Sequence, residues 1–528
     1  MSFVKATRNT QVAVGVLLLC GVCAAVLVHW CMSSGIGVTP DSVIYLSAAD
    51  RLVEGKGLTP IGYHYAPAIP SGRPLISFPP AYSLLLASTS LFTNDRLAGA
   101  KYIHTLLFAL TVFLLGGIVY ISSRSIWPAL LAMGLFQTSY PLLSIYAMAR
   151  AEPLFMLLLL STLLGVVLYK RKPRLWVLIV CASTAAAALM TRYVGLTVLV
   201  PLVLTVVMER RPTGERLRRV IVMLAVALLP LVAWLIRNRR TGGSSTGRSW
   251  AFHFVGRAAF NTFVESLRLL FTPYALGNIA KLLLLAIAAV AVVWALWMGL
   301  RGQTSTVNRC VRFFSAVMII TYVVFLAAYN SFADPAVDLG PRVALPVYLF
   351  GLILLFSLVE WESAARNRRA LFWSIVFLSL VLFIANSRPA AYWVSYRHRE
   401  GEGFTSRAWR DSETVKFLKA VPSQVLVYSN AADACYLHTN QEALRLPAKY
   451  DPTNARINAE FAAQITVLQN DLTKNRAVVV YFDRVDWRWY LPGQHELEET
   501  YKFPVAARLA DGVVYGGELQ TSSMRSPE

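Results

Sequence analysis

Two acidic residues stand where a carboxylate is expensive. Asp41 opens a helical stretch just after the first long apolar run, and Glu152 sits where the apolar run 153–169 begins. An acid next to a membrane core points to function by default, because burying its charge is costly. Tyr45 lies four residues after Asp41, on the same helical face. A plainer reading also fits. Thr39-Pro40-Asp41 matches an N-cap, N1, N2 sequence in which Asp41 favours the helix dipole, and Glu152 beside Pro153 admits the same account. Arginines accompany the acids: Arg73, Arg150, Arg192, Arg237 and Arg342, with Arg239 nearby. Guanidinium is the preferred partner of phosphate, so carboxylates combined with arginines suit a lipid phosphate that carries a transferable group. Snorkelling arginines that anchor helix ends are the alternative.

The elements that must position these residues are membrane helices. Of the 528 residues 56% are hydrophobic and 15% charged, against about 25% charged in a soluble chain. A soluble enzyme, a disordered chain and a secreted disulfide scaffold are excluded. Apolar runs fall near 11–31, 98–121, 126–139, 153–169, 175–190, 195–208, 220–236, 281–299, 313–328, 343–359 and 370–386. They predict a polytopic α-helical membrane protein of about eleven spans. The stretch 81–92 is too short to span and is expected along the membrane surface.

Charge orients the chain. The net charge is +21, yet residues 386–528 hold 17 basic and 17 acidic side chains, so the whole excess lies among the spans. Much of it sits in short clusters: Lys170 to Arg174, Arg210 to Arg219, Arg301 to Arg312, and Arg366 to Arg369. Eleven crossings put all of these on one side, the cytoplasmic side by the positive-inside tendency. The N-terminus is then cytoplasmic and the tail outside, and nucleic acid is not expected as a partner. Cys20 and Cys23 form a CxxC within the first apolar run, where neither zinc nor redox chemistry has support.

Two domains follow: a membrane domain 1–385, including an outer loop 32–97, and an extracytoplasmic α/β domain 386–528. In the tail, 411–420 and 456–472 read as helices and 424–429 and 476–482 as strands. Val505–Ala510 and Val513–Tyr515 flank Asp511-Gly512 as a hairpin. The tail contains no Gly-rich phosphate fingerprint. Trp487-Arg-Trp-Tyr490 could stack on sugar rings, or dock the domain on a membrane surface or its own core.

At this level of detail the chain resembles a family. Asp41-Ser-Val-Ile-Tyr45, Leu52-Val-Glu-Gly-Lys-Gly-Leu58 and Pro79-Pro-Ala-Tyr82 look like the first outer loop of GT-C glycosyltransferases. These include the protein O-mannosyltransferases and the lipid A aminoarabinose transferase. Ala149-Arg-Ala-Glu-Pro-Leu-Phe155, Met190-Thr-Arg-Tyr-Val-Gly195, Trp234-Leu-Ile-Arg-Asn238 and Gly340-Pro-Arg-Val-Ala-Leu-Pro346 follow in order, over about residues 1–385.

The resemblance implies that Asp41 is the catalytic carboxylate and Glu152 a second acid near the acceptor or an optional divalent metal. It implies substrate contacts from Tyr45, Lys56, Arg73, Tyr82, Arg150, Arg192, Tyr193, Arg237, Asn238 and Arg342. The implied donor is a sugar on a polyprenyl phosphate, and the acceptor a hydroxyl of a lipid, glycan or protein, with inversion by single displacement. Either a hexose or a pentose could be transferred. In the aminoarabinose-transferase branch a lysine precedes the Pro-Pro pair. Phe78 stands there in this chain, leaving Arg73 or Lys56 for the phosphate contact. No Asp-x-Asp pair occurs in the outer loops, and no cofactor is implied with certainty. The rival readings are a lipid or solute transporter, and an oligosaccharide ligase or phosphotransferase sharing the lipid-linked donor. The absence of an Asn-x-Ser/Thr sequon fits a bacterial inner membrane.

Overall fold

The computed structural model describes residues 8–61, 74–252, 254–272, 277–301, 307–334, 338–358, 369–451 and 456–517. Two compact units emerge. One joins residues 1–36 to 75–399, and the other joins 37–74 to 400–528.

The first unit is helical. Among the described residues, seven helices are long and apolar enough to cross a membrane: Thr10–Cys31, Arg96–Ser123, Glu152–Arg171, Thr213–Gly242, Lys281–Leu300, Val307–Phe332 and Phe372–Glu400. Shorter apolar helices cover Ala81–Leu91, Ile126–Gln137, Leu175–Thr191, Tyr193–Val207 and Pro341–Ser357. The chain is a polytopic integral membrane protein. Its spans are apolar on every side because both their surroundings are apolar: neighbouring helices inside, lipid tails outside. Lys281–Leu300 turns most of its surface outward, with Ile287, Val290 and Val293 exposed. Glu152–Arg171 instead buries Phe155, Met156, Leu159, Leu160 and Leu163.

Two of the short runs are broken for local reasons. The run 126–139 stops at Thr138-Ser139, and Pro141 starts a new helix, Tyr140–Tyr146. The run 195–208 begins as a 3₁₀ turn, Tyr193–Val198, before relaxing into Leu199–Val207. In that turn a Cβ on Gly195 would lie 2.9 Å from the Ala188 carbonyl, so only glycine lets the two backbones touch. The stretch 81–92 is a short helix that buries Tyr82, Ser83 and Leu86 while Leu84 and Leu91 stay exposed.

The second unit is α/β. Its five-stranded sheet runs in the order Leu444–Arg445, Leu426–Ser429, Ala477–Phe482, Gly512–Tyr515, Val505–Leu509. The first three strands are parallel and the last two form an antiparallel hairpin. Val478, Val479 and Val480 are fully buried, as befits a central strand covered on both faces. Helix Phe461–Thr473 packs on the sheet through Ile465, Leu468 and Leu472. Helix Pro40–Val53 belongs to this same unit.

Candidate functional site

In the helical unit, Glu152 occupies the first position of its helix, followed by Pro153, and is 6% exposed. Its carboxylate pairs with the Arg192 guanidinium. Arg192 reaches it because helix Leu175–Thr191 ends there and the backbone turns extended (φ −148°, ψ 133°) before the next 3₁₀ turn. Arg150 and Arg342 also lie within electrostatic reach of the carboxylate. Arg342 stands in the first turn of Pro341–Ser357, the positive end of that helix, where a cation is disfavoured. Local helix stability gives no reason for it, whereas the nearby carboxylate does. Three guanidinium groups thus face one carboxylate, and guanidinium forks match phosphate oxygens.

Sequence reasoning missed the histidine beside this cluster. His104 is fully buried in helix Arg96–Ser123 and within electrostatic reach of Glu152. Its Nδ1 lies 2.9 Å from the Tyr146 carbonyl oxygen, which only accepts, so Nδ1 carries the proton. In the neutral ring Nε2 then accepts from the Tyr82 hydroxyl at 2.6 Å. Tyr146 in turn donates its hydroxyl to Thr111 at 3.1 Å. One signal was present: a histidine within a 28-residue apolar helix is the kind of intramembrane polar residue that invites a functional question.

A second group holds residues 75 and 76. Arg237 donates to the Leu75 carbonyl at 2.8 Å and to Asn238 Oδ1 at 3.0 Å, and its guanidinium stacks 4.7 Å from the Trp234 ring. Trp234 donates to the Tyr193 hydroxyl at 3.2 Å, which donates to the Ile76 carbonyl at 3.3 Å. Fully buried Asn238 donates to the Ser245 carbonyl at 3.0 Å. Tyr193, Arg237 and Asn238 thus converge on residues 75–76.

Asp41, Tyr45 and Lys56 lie in the other unit. Asp41 is half-buried in the first turn of Pro40–Val53. Capping there is carried by its neighbours: Thr39 N donates to Ser42 Oγ at 3.0 Å, and the two hydroxyls lie 2.9 Å apart. Asp95 shows the alternative, since its carboxylate caps its own helix by accepting from Leu97 N and Ala98 N. Tyr45 is buried one turn after Asp41. Lys56 sits in the turn Gly55–Gly57, where both glycines have positive φ, and pairs with Glu54 at 2.8 Å. That pair holds the exposed Glu54 carboxyl below the usual carboxylate range. Arg73 lies outside the described residues. Among the described residues, no group of three or more His, Cys, Asp or Glu side chains could hold a metal ion.

No family model matches the chain, and no curated protein matches it by sequence. Solved structures do match. The apo structure of ArnT from Cupriavidus metallidurans is 14% identical, covers 96% of this chain and 100% of its own, and gives a TM-score of 0.58. The same protein bound to undecaprenyl phosphate is 13% identical over 97% and 99%, also at 0.58. The archaeal oligosaccharyltransferase AglB from Archaeoglobus fulgidus, in complex with an inhibitory peptide and a dolichol-phosphate, is 10% identical. It covers 93% of this chain and 72% of its own at a TM-score of 0.54. This chain has the GT-C fold. Both units take part in the match, because the share covered leaves room for the loss of neither. Within this GT-C fold, Phe78 is half-buried directly before the Pro79-Pro80 pair that leads into the Tyr82 helix.

Proposed function

We propose that this protein is a membrane glycosyltransferase that takes a sugar from a polyprenyl-phosphate donor and places it on a hydroxyl acceptor at the outer face of the membrane. One observation carries the reading: three arginines gather around a single buried carboxylate in a GT-C fold. Two proteins of that fold have been solved with a polyprenyl phosphate bound. Guanidinium groups are the partners that a lipid phosphate calls for.

The chemistry is a single displacement. The acceptor oxygen attacks the anomeric carbon and the bond from that carbon to the phosphate oxygen breaks, inverting the configuration. Asp41 takes the proton from the acceptor hydroxyl as the new bond forms. The departing polyprenyl phosphate gains negative charge, which Arg150, Arg192 and Arg342 stabilise. Glu152 fixes the Arg192 fork so that its geometry is set before the phosphate arrives. Sugars activated by nucleotides are made in the cytoplasm, so a donor dissolved in the membrane suits an enzyme working outside it.

Binding of undecaprenyl phosphate to purified protein, with the neutral alcohol undecaprenol as control, tests the donor. The phosphate should bind, Arg342→Ala should weaken it by about tenfold, as for loss of one charge-assisted contact, and the alcohol should not compete. Equal binding of the alcohol would remove the arginines from the reading. Asp41→Asn should then abolish transfer from a polyprenyl-phosphate sugar while leaving phosphate binding intact.

A further inference from the structure

We infer that the C-terminal α/β domain is the mount of the Asp41 helix, and so sets where the general base stands. The inference rests on the role of Asp41 proposed above. Residues 37–74 and 400–528 are far apart in sequence yet form one compact unit, and the helix is held at both ends. Before it, Val38 bridges to Gly403, and its carbonyl accepts from Phe404 N at 2.8 Å. Val38 is three residues ahead of Asp41 and leads directly into the Thr39–Ser42 cap. At the far end, Tyr436 donates to Asp50 Oδ2 at 3.2 Å, and Arg51 pairs with Glu442. Between these points Val43, Leu46, Ala48 and Ala49 are buried, the alanines being small enough for close approach.

The domain side of the mount is stiff. Helix Ala432–Thr439, which packs on the Asp41 helix, starts just beyond strand Leu426–Ser429. Asp433 at its start pairs with Arg488 at 2.6 Å, and both side chains are buried. Asn430 ties that same corner to the neighbouring strand, accepting from Phe482 N at 2.9 Å and donating to the Phe482 carbonyl at 2.8 Å. This corner is the crevice beyond the carboxyl ends of the parallel strands, where open α/β sheets commonly bind ligands. Here Asn430, Asp433 and Arg488 fill it. The usual ligand position is thus spent on rigidity, which suits a support better than a binding domain.

Gly403 makes the mount testable. Its φ is +62°, and a Cβ there would meet the Val38 carbonyl oxygen at 2.1 Å, so Gly403→Ala must push the entry to the Asp41 helix away. A shift of about 1 Å at a catalytic group costs about 100-fold in rate. In the full-length enzyme, Gly403→Ala should lower kcat by about that factor with KM for the polyprenyl-phosphate donor unchanged. Arg51→Glu and Glu442→Arg should each lower kcat by about threefold, and the double swap should restore it. Should Gly403→Ala prevent folding, the charge-swap series decides alone. If Asp41→Asn abolishes transfer while the Gly403 and charge-swap variants keep full kcat, or if the double swap rescues nothing, the mount is refuted and the proposed function stands. If Asp41→Asn leaves transfer intact, the proposed function fails and takes the mount with it.

Discussion

The Glu152–Arg192 pair offers a test whose size can be worked from the structure. Glu152 is 6% exposed, and its partner's side chain is only partly accessible, so little water is available to take over if one member is lost. Breaking a buried pair from one side costs about 3–5 kcal/mol, because the remaining charge stays buried and unpaired. Removing Glu152 is the harsher change, since Arg192, Arg150 and Arg342 all lose the carboxylate they face. Glu152→Gln should therefore destabilise by an amount near the top of that range. Arg192→Met should destabilise less, because Arg150 and Arg342 still face the carboxylate. The double variant should be no worse than Glu152→Gln alone, a coupling as large as the whole loss from Arg192→Met. Thiol-dye labelling during denaturation can report it: Cys181 and Cys310 are buried in the same unit, and the more accessible Cys20 and Cys23 can first be changed to serine. Strictly additive losses for the two single variants would refute the reasoning, since they would mean that the pair is not coupled. Binding of undecaprenyl phosphate supplies a second arm. A bound anion should recover part of the stability lost in Glu152→Gln, because it restores negative charge among the arginines.

Three further outcomes are expected. His104→Phe strands the Tyr146 carbonyl in a buried position, at about 1–3 kcal/mol, a loss the same labelling assay should report. In the α/β unit His438 is half-buried and donates Nε2–H to the Phe404 carbonyl at 3.0 Å; desolvation, with Lys419 adding to it, pushes its pKa below 6.5. The unfolded chain then binds the proton first, so stability should fall as pH drops below about 6.5, by at most about 1.4 kcal/mol per pH unit for one proton; His438→Gln should flatten that slope in a denaturation series. Arg237→Lys keeps the charge but loses the fork and the stacking on Trp234, so limited proteolysis near residues 74–77 should quicken, and unchanged cleavage would show that Arg237 does not hold that segment.

How much of this was readable in advance depended on the range of the interaction. All eleven apolar runs are helical because hydrophobicity is a local property that survives any tertiary arrangement. The strands 424–429 and 476–482 and the hairpin around Asp511 were legible for the same reason. Helix Ala432–Thr439 was not: its sequence, Ala-Asp-Ala-Cys-Tyr-Leu-His-Thr, has no clean periodicity, since it is buried by neighbours on most sides. Helix Arg257–Phe271 has a different character: Arg257, Asn261, Glu265 and Arg268 recur at helical spacing and give it a polar face. Among the candidate residues, Glu152 and Arg192 are brought together from positions 40 apart, a pairing that spacing alone does not specify. His104 was missed because a single histidine among leucines has no local pattern, and its meaning comes from Tyr82 and Tyr146. The link from residues 37–54 to the tail depends on Val38, Asp50 and Arg51 meeting partners more than 360 positions away.

The arrangement of charge also argues against stability as its purpose. A buried ion pair can often be replaced by apolar side chains of similar volume with no loss, or with a gain. Around Glu152 the chain keeps the costly option, and adds to it an arginine at the wrong end of a helix dipole. His104 adds a polar group to the middle of an apolar span and then needs Tyr82 and the Tyr146 carbonyl to satisfy it. Each of these choices costs folding energy that the surrounding helices must offset. Asp41 presents the same logic in milder form. Thr39 and Ser42 already supply the cap, so Asp41 is not needed there as a capping group. A carboxylate, three guanidiniums and an imidazole in or beside an apolar core are the features on which the proposed lipid-phosphate donor rests.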